Sequence, residues 1–329
     1  MARRHRRGRP VHGILLLDKP AGGSSNHALQ RAKRLFGAAK AGHTGSLDPL
    51  ATGMLPICFG EATKLAGFLI DADKGYETTL KLGVTTNSAD ADGQVLETRE
   101  VPPTLDQSQF EEICQRFIGP IMQVPPMVSA IKIDGKRLYK LAREGKEVER
   151  PARPVVIHEL EVLAFSGDSA RLAVRCSKGT YIRSLITDIG EAIGCGAHVS
   201  ALRRTFVSPF GQYPMISLET LERMMAAVSD DAGDAVVDTA ALWPALDALL
   251  LPPDAGLEHL ARVTLDEAGN TAFLHGNSAS CIVDQQPEKR ADRQSEPLCR
   301  VYDIDGKLMG LGELGDSGTV SPRRVLQWG

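Results

Sequence analysis

Strand-like and helix-like stretches follow one another along this chain without the strand–helix–strand rhythm that a parallel sheet demands. "GILLLDK" reads as a strand, and "HALQRAKRLFG" as a helix capped by Ser25 or Asn26 and ending at Gly37. "MLPICFG" reads as a buried strand, "EATKLAGFLIDA" as a short amphipathic helix and "KGYETTLKLGV" as an alternating strand. Asp92-Gly93 signals a hairpin turn. "DQSQFEEICQRFIG" has helical spacing, and Pro125-Pro126 confine any strand in "IMQVPPMVSAIKIDG" to a sheet edge. "KRLYKLAREG" reads as a basic helix, and "PVVIHELEVLAF" and "SARLAVRCS" as strands joined at Gly167-Asp168. "TYIRSLITDIGEAIG" reads as a helix capped by Thr180, and "HVSALRRTFVSPF" extends again. This order predicts an α+β fold with a mixed, mainly antiparallel sheet core flanked by helices.

A break is expected at "LLLPPDAG", residues 249–256, where two prolines fall together. The expected division is a basic, disordered tail over 1–10, a main domain over 11–248 and a small β-rich domain over 249–329. The last part reads as a short helix and then strands in "SASCIVD", "LCRVYDIDGKLMGLGEL" and "TVSPRRVLQW". The polar stretch from Gln285 to Pro297 interrupts them as an exposed loop.

Charge is unevenly distributed. Arg3, Arg4, Arg6, Arg7 and Arg9 crowd the start, and a second basic region runs from Lys132 to Pro154. Asp230, Asp231, Asp234 and Asp238 reverse the balance later. A basic face set against an acidic region suits a protein that binds a polyanion and stays soluble. A solvated helix face explains the second basic region equally well. With 43% hydrophobic and 24% charged residues the chain has a globular composition. No apolar run approaches the roughly 18 residues of a membrane span. The six cysteines form no Cys-x-x-Cys pair, which favours reduced thiols and a cytoplasmic location.

The stretch "GHTGSLDPLATG" holds one acid, Asp48, among turn-forming residues. Pro49 pushes Asp48 toward extended backbone, and Gly42, Gly45 and Gly53 permit tight turns and a close ligand. A turn aspartate that bonds its own backbone fits the same residues. Spacing disfavours several chemistries. Leu50 stands where an Asp-x-Asp phosphotransfer enzyme needs its second acid, no Gly-Lys-Ser/Thr phosphate loop is present, and no histidine pair has zinc-ligand spacing. A second carboxylate, distant in sequence, remains compatible with a glycosidase-like pair. In "SKGTYIRSL", Tyr181 and Arg183 fall in the first turn of a helix, where a cation opposes the helix dipole. Arg183 therefore calls for an anionic partner, such as a loop carboxylate, or for solvent.

These segments together resemble the TruB-type bacterial tRNA pseudouridine synthases. The resemblance rests on "LDKPAGGSS", "GHTGSLDPLATGMLPICFGEATK", "DKGYETTLKLG", "DADGQV", "PPMVSAIKIDGKRLYKLAREG" and "SKGTYIRSLITDIG", in order, and covers about Gly13 to Phe210. It implies the pseudouridine synthase fold, isomerisation of uridine 55 in the T-loop of tRNA, and no cofactor or metal. It also implies an enzyme that needs no protein partner or guide RNA and works as a monomer. By the same resemblance Asp48 is the catalytic acid, Arg183 its partner, and Tyr76 the aromatic group on the flipped base. Tyr181 and Leu202 line the uridine pocket, His43 holds the flipped region, and Lys64 meets RNA. The basic region within about 124–153 becomes an RNA-clamping insertion, and "GKLMGLGEL" with "SPRRVL" resembles a PUA-like RNA-binding domain. The other reading is a tRNA-binding or tRNA-folding module without catalysis; an aspartate-nucleophile hydrolase is disfavoured by Leu50 and the missing metal ligands.

Overall fold

The computed structural model describes residues 8–328, apart from 71, 130–131, 134, 139–140, 142–143, 145–147, 232–241, 287–297 and 316–317. One mixed sheet occupies the larger part. Its strands are β1 (Gly13–Lys19), β2 (Ala41–His43), β3 (Thr52–Phe59), β4 (Lys74–Leu82), β7 (Gly119–Gln123), β10 (Arg153–Phe165), β11 (Ser169–Cys176), β12 (Ala197–Val207) and β13 (Ile216–Ser217). They lie in the order β13-β1-β3-β12-β4-β11-β10-β7, with β2 beside β3. The β1–β13 and β3–β12 pairings are parallel and the others antiparallel. The α+β expectation holds, and β7 lies at a sheet edge as Pro125-Pro126 required.

The apolar run of β1 has a physical reason. Leu15 and Leu17 point into a core shared with helix α1 (Ser25–Leu35), while Ile14 and Leu16 point to the opposite face. There they meet Leu257, Leu308, Leu311 and Leu326 of the C-terminal part. A strand covered on both faces reads as a continuous hydrophobic run. Burying each such side chain contributes about 1.5–3 kcal/mol, which ties the two parts together.

The C-terminal sheet has the order β15-β19-β18-β17-β14-β16. Its strands are β14 (Ala261–Thr264), β15 (Ala279–Ser280), β16 (Ile282–Gln285), β17 (Leu298–Tyr302), β18 (Leu308–Leu314) and β19 (Thr319–Val325). The β-rich character expected for this part is present. Its four-residue strand β14 gives too short a pattern to announce itself in sequence. Most of the polar loop expected at 285–297 lies outside the described residues.

Local departures from expectation are informative. Helix α1 is capped by Ser24, whose hydroxyl accepts from the His27 N–H, because Ser25 is engaged elsewhere. The segment expected as one amphipathic helix splits into a 3-10 turn, Gly60–Lys64, and a single helical turn, α2 (Ala66–Leu69). Gly60 adopts φ +53°, and a Cβ there would fall 2.2 Å from the Val11 carbonyl. Lys136 and Arg137, expected to open a helix, form β9 (Lys136–Arg137) opposite β8 (Lys132–Ile133); much of the segment after Arg137 lies outside the described residues. The hairpin at Asp92-Gly93 joins β5 (Val84–Thr86) to β6 (Val95–Thr98). Helix α3 (Gln107–Gln115) carries a capping box from Asp106 and Gln109. Helix α4 (Ile182–Ile193) starts from Tyr181 without a side-chain cap, and the Thr180 hydroxyl donates to the Ser177 carbonyl instead.

Residues 1–7 lie outside the described residues, but Arg9 belongs to the fold. Its guanidinium forks onto Asp247 at 2.7 and 2.6 Å and lies 4.8 Å over the Trp243 ring. The expected disordered tail over 1–10 therefore does not extend to this arginine.

Candidate active site

Asp48 sits on the loop between β2 and β3, and several contacts fix that loop. The buried Ser25 hydroxyl donates to the Leu47 carbonyl at 3.0 Å and accepts the Leu47 N–H at 2.7 Å. The Ala51 N–H donates to the Asp48 carbonyl, closing a turn over Pro49. Gly53 has φ +98°, and a Cβ there would lie 2.1 Å from the Arg204 carbonyl, so only glycine lets β3 meet β12 at this point. Lys19, at the end of β1, is buried and donates its ammonium to the carbonyls of Pro20, Pro49 and Ala51. Burial pulls the Lys19 pKa down to about 8, while the Asp48 charge opposes that shift.

Arg183 enters from the first turn of α4 and answers the demand for an anion. Its Nε lies 2.9 Å from Asp48 Oδ2 and a terminal nitrogen donates to Oδ1 at 3.2 Å, a two-point fork. That nitrogen also donates to the Val128 carbonyl at 2.7 Å. The other terminal nitrogen donates to the Ser88 carbonyl at 2.8 Å and lies 3.5 Å from Asp90 Oδ2. The Arg183 side chain is 3% exposed and that of Asp48 is 35% exposed. The cation is thus sequestered and the carboxylate faces outward. Burial is the largest influence on Asp48 and raises its pKa above the ordinary aspartate value; Asp90 adds to the rise, and Arg183 and Lys19 oppose it.

The other expected residues fall into two groups. Tyr76 on β4 is buried, pairs with Val174 and Arg204 across the sheet, and has its phenol pKa raised by burial. Tyr181 precedes Arg183 and is shifted upward for the same first reason. The Asp48 charge acts on both phenols. Leu202 lines a cleft of about 520 Å³ with Leu50, Thr78, Asp92 and Arg203. His43 ends β2, directly before the loop carrying Asp48; its Nδ1 is buried without a partner among the described residues, and burial lowers its pKa. Lys64 stands apart. It donates to the Val325 carbonyl at 3.0 Å and pairs with Glu61, at the seam with the C-terminal sheet.

Three participants escape sequence reasoning. Asp90 was legible only as part of a turn, yet it is buried against Arg183. Lys19 stands in "LDKP" as the last residue of a strand, and a lysine closing an apolar run was its one signal. Arg204 is fully buried and donates to the carbonyls of Met54 and Gly45, bracing the loop from behind. Among the described residues no group of three or more His, Cys, Asp or Glu side chains is placed to hold a metal ion, and no helix is long and apolar enough to cross a membrane.

Residues 33–182 match the TruB family pseudouridylate synthase (N terminal domain). Residues 183–258 match the tRNA pseudouridylate synthase B C-terminal domain, and 261–326 match pseudouridine synthase II TruB, C-terminal. A chain of an H/ACA RNP bound to a substrate RNA containing 2'-deoxyuridine shares the fold, with a TM-score of 0.67 at 22% identity over 99% of this chain and 92% of that one. A chain of a Cbf5-Nop10-Gar1 complex gives 0.65 at 25% identity, covering 95% and 84%. Fold and matched segments define a pseudouridine synthase, an isomerase. Within that class the chain belongs to the TruB family. It is 50% identical over 327 residues to tRNA pseudouridine synthase B of Stutzerimonas stutzeri (strain A1501), covering 99% of each chain. It is 48% identical to the protein of the same name from Pseudomonas aeruginosa (strain UCBPP-PA14), covering 99% of this chain and 100% of that one.

Proposed function

We propose that this chain isomerises uridine 55 in the T-loop of tRNA to pseudouridine, with Asp48 as the catalytic group acting on a flipped-out nucleotide. The observation that carries this reading is the fork from sequestered Arg183 to outward-facing Asp48. A carboxylate enclosed by RNA tends to take up a proton, and a fixed guanidinium favours its ionised form. The ionised carboxylate then has two routes. It attacks C1′ and displaces uracil, or it removes the C2′ proton and a glycal forms. In both, the N1–C1′ bond breaks, the base turns and C5 joins C1′, releasing the carboxylate in the first route and taking the proton back onto C2′ from the carboxylic acid in the second; C5 then loses its proton and N1 gains one.

Tyr76 offers a ring to the turned base and a phenol near the departing C5 proton. Tyr181, Leu202 and His43 complete the slot, which offsets part of the few kcal/mol needed to unstack a nucleotide. The basic insertion within 124–153 grips the stem by shape and phosphate. Residues 249–329 act as a PUA-like module adding RNA contacts, and Lys64 stands where the two parts meet. The protein acts on tRNA as a monomer in the cytoplasm, without metal, cofactor, protein partner or guide RNA.

The test is incubation of the protein with unmodified tRNA and with a T-stem-loop fragment, and then mapping of pseudouridine. One modified position, at uridine 55 in both RNAs, is expected. Asp48→Asn is expected to keep tRNA binding and lose modification. Modification elsewhere, dependence on a guide RNA, or turnover by Asp48→Asn overturns the proposal.

A further inference from the structure

Helix α4 begins without a side-chain cap from its own chain segment, although its first turn carries Arg183. Its start is instead tied by other bonds to β7 and the residues just after it. Gln123 is 2% exposed. Its Oε1 accepts the Tyr181 N–H at 3.0 Å, and its Nε2 donates to the Tyr181 carbonyl at 3.3 Å. The Ser184 hydroxyl donates to the Val124 carbonyl at 2.8 Å, and Arg183 donates to the Val128 carbonyl at 2.7 Å. Residues 181, 183 and 184 are thus each bonded to the six-residue stretch 123–128. Among the described residues β7 is the last strand of its sheet and is hydrogen-bonded there to β10 alone. The same stretch is the root of the basic insertion.

We propose that Gln123 is a positioning residue that couples the seating of the insertion on RNA to the placement of Arg183 against Asp48. The proposal rests on the reading of the insertion as an RNA grip and of Asp48 as the catalytic group. One nitrogen of Arg183 is shared between Asp48 Oδ1 and the Val128 carbonyl, so a shift of the root alters how that nitrogen is divided. The primary amide of Gln123 suits the task because it presents one acceptor and one donor to the two backbone groups of a single residue. Stem binding at a distance from the uridine thereby sets the geometry of the reacting carboxylate.

The test compares Gln123→Met, which keeps side-chain length and removes both bonds, with the unaltered protein on full-length tRNA. A misplacement of about 1 Å at a reacting group can cost ~100-fold. A fall in kcat of about 10- to 100-fold is expected, with KM changed less than about threefold. The charged groups facing Asp48 are Arg183 from α4, Asp90 from the β5–β6 hairpin and Lys19 from β1. A looser Arg183 lets the carboxylate protonate more readily, so the acidic limb of the kcat profile moves to higher pH. A rise in KM alone, or unchanged kcat and acidic limb, overturns the coupling. If Gln123→Met unfolds, Ser184→Ala, which removes only the bond to Val124, must show the same limb shift to a smaller degree; an unchanged limb there overturns it too. Asp48→Asn run in parallel separates the two readings, since its turnover defeats the catalytic assignment and its inactivity beside a normal Gln123→Met defeats the coupling alone.

Discussion

Of the arginine–aspartate forks among the described residues, one in the site and one beside it are built for different work. Arg203 on β12 holds Asp18 on β1 at 3.0 and 2.8 Å, and their side chains are 41% and 29% exposed. Arg183 holds Asp48 with similar geometry but is itself 3% exposed. Arg203 reaches across strands whose pairing is already fixed by the backbone, because it lies opposite Thr52 in the β12–β3 ladder. Arg183 is held by three separate segments: the loop carrying Asp48, the hairpin at Ser88 and Asp90, and the stretch just after β7. A solvated fork contributes little because water competes for both ions. A buried cation must be satisfied by whatever surrounds it, and its loss is felt by every group it holds.

The largest contrast comes from breaking the inner fork while keeping its charge. Arg183→Lys places a point charge where five fixed donors stood, and a fall in kcat of at least about 100-fold is expected from single-turnover assays on tRNA. Retention of most of the activity would show that charge near Asp48 suffices without the fork.

A pH profile sharpens the difference next. The Asp48 pKa is raised above its ordinary value, mainly by burial. On the proposed mechanism turnover requires the ionised carboxylate, so activity is expected to fall as pH drops through this raised value, at a higher pH than a solvated aspartate would give. Stability runs the other way. The folded state binds the proton more tightly than the unfolded chain, so this group's stabilising contribution is complete below the unfolded pKa and is lost as pH rises through the folded one. Kinetic and unfolding titrations should therefore respond in opposite directions across the same window.

The smallest effect belongs to the outer fork. Asp18→Asn should alter stability by no more than about 1 kcal/mol in chemical denaturation and leave the acidic limb of activity in place. A limb that moved would mean that the outer fork also tunes Asp48, by way of the adjacent Lys19.

Much of the fold and part of the site were legible in the chain. The irregular succession of elements pointed to a mixed sheet, Pro125-Pro126 confined any strand there to an edge, and a cation in the first turn of a helix called for an anion or for solvent. The failures have physical causes. Ser24 and Ser25 are equally good helix caps in sequence, but the loop carrying Asp48 takes the Ser25 hydroxyl, which leaves the cap to Ser24. Asp90 reads as a turn residue because its local bonds, from Ser88 and the Asp92 N–H, are those of a turn. Its contact with Arg183 comes from a distant part of the chain. Gln123 gives no signal at all, since an amide between an apolar residue and a valine is unremarked until it meets a helix start.

The sequence by itself determined the local conformations: β1 as a strand, the glycines that permit the loop carrying Asp48, and Arg183 at a helix start. Backbone preference and apolar periodicity act over a few residues and leave their mark in the order of side chains. Only the tertiary structure decided which charges meet. Asp48 and Arg183 lie 135 positions apart, and Lys64 turned to the C-terminal sheet while Lys19 turned to the site. Such pairings depend on where the sheet and its covering helices place each end of a strand, and short-range preferences carry no record of that.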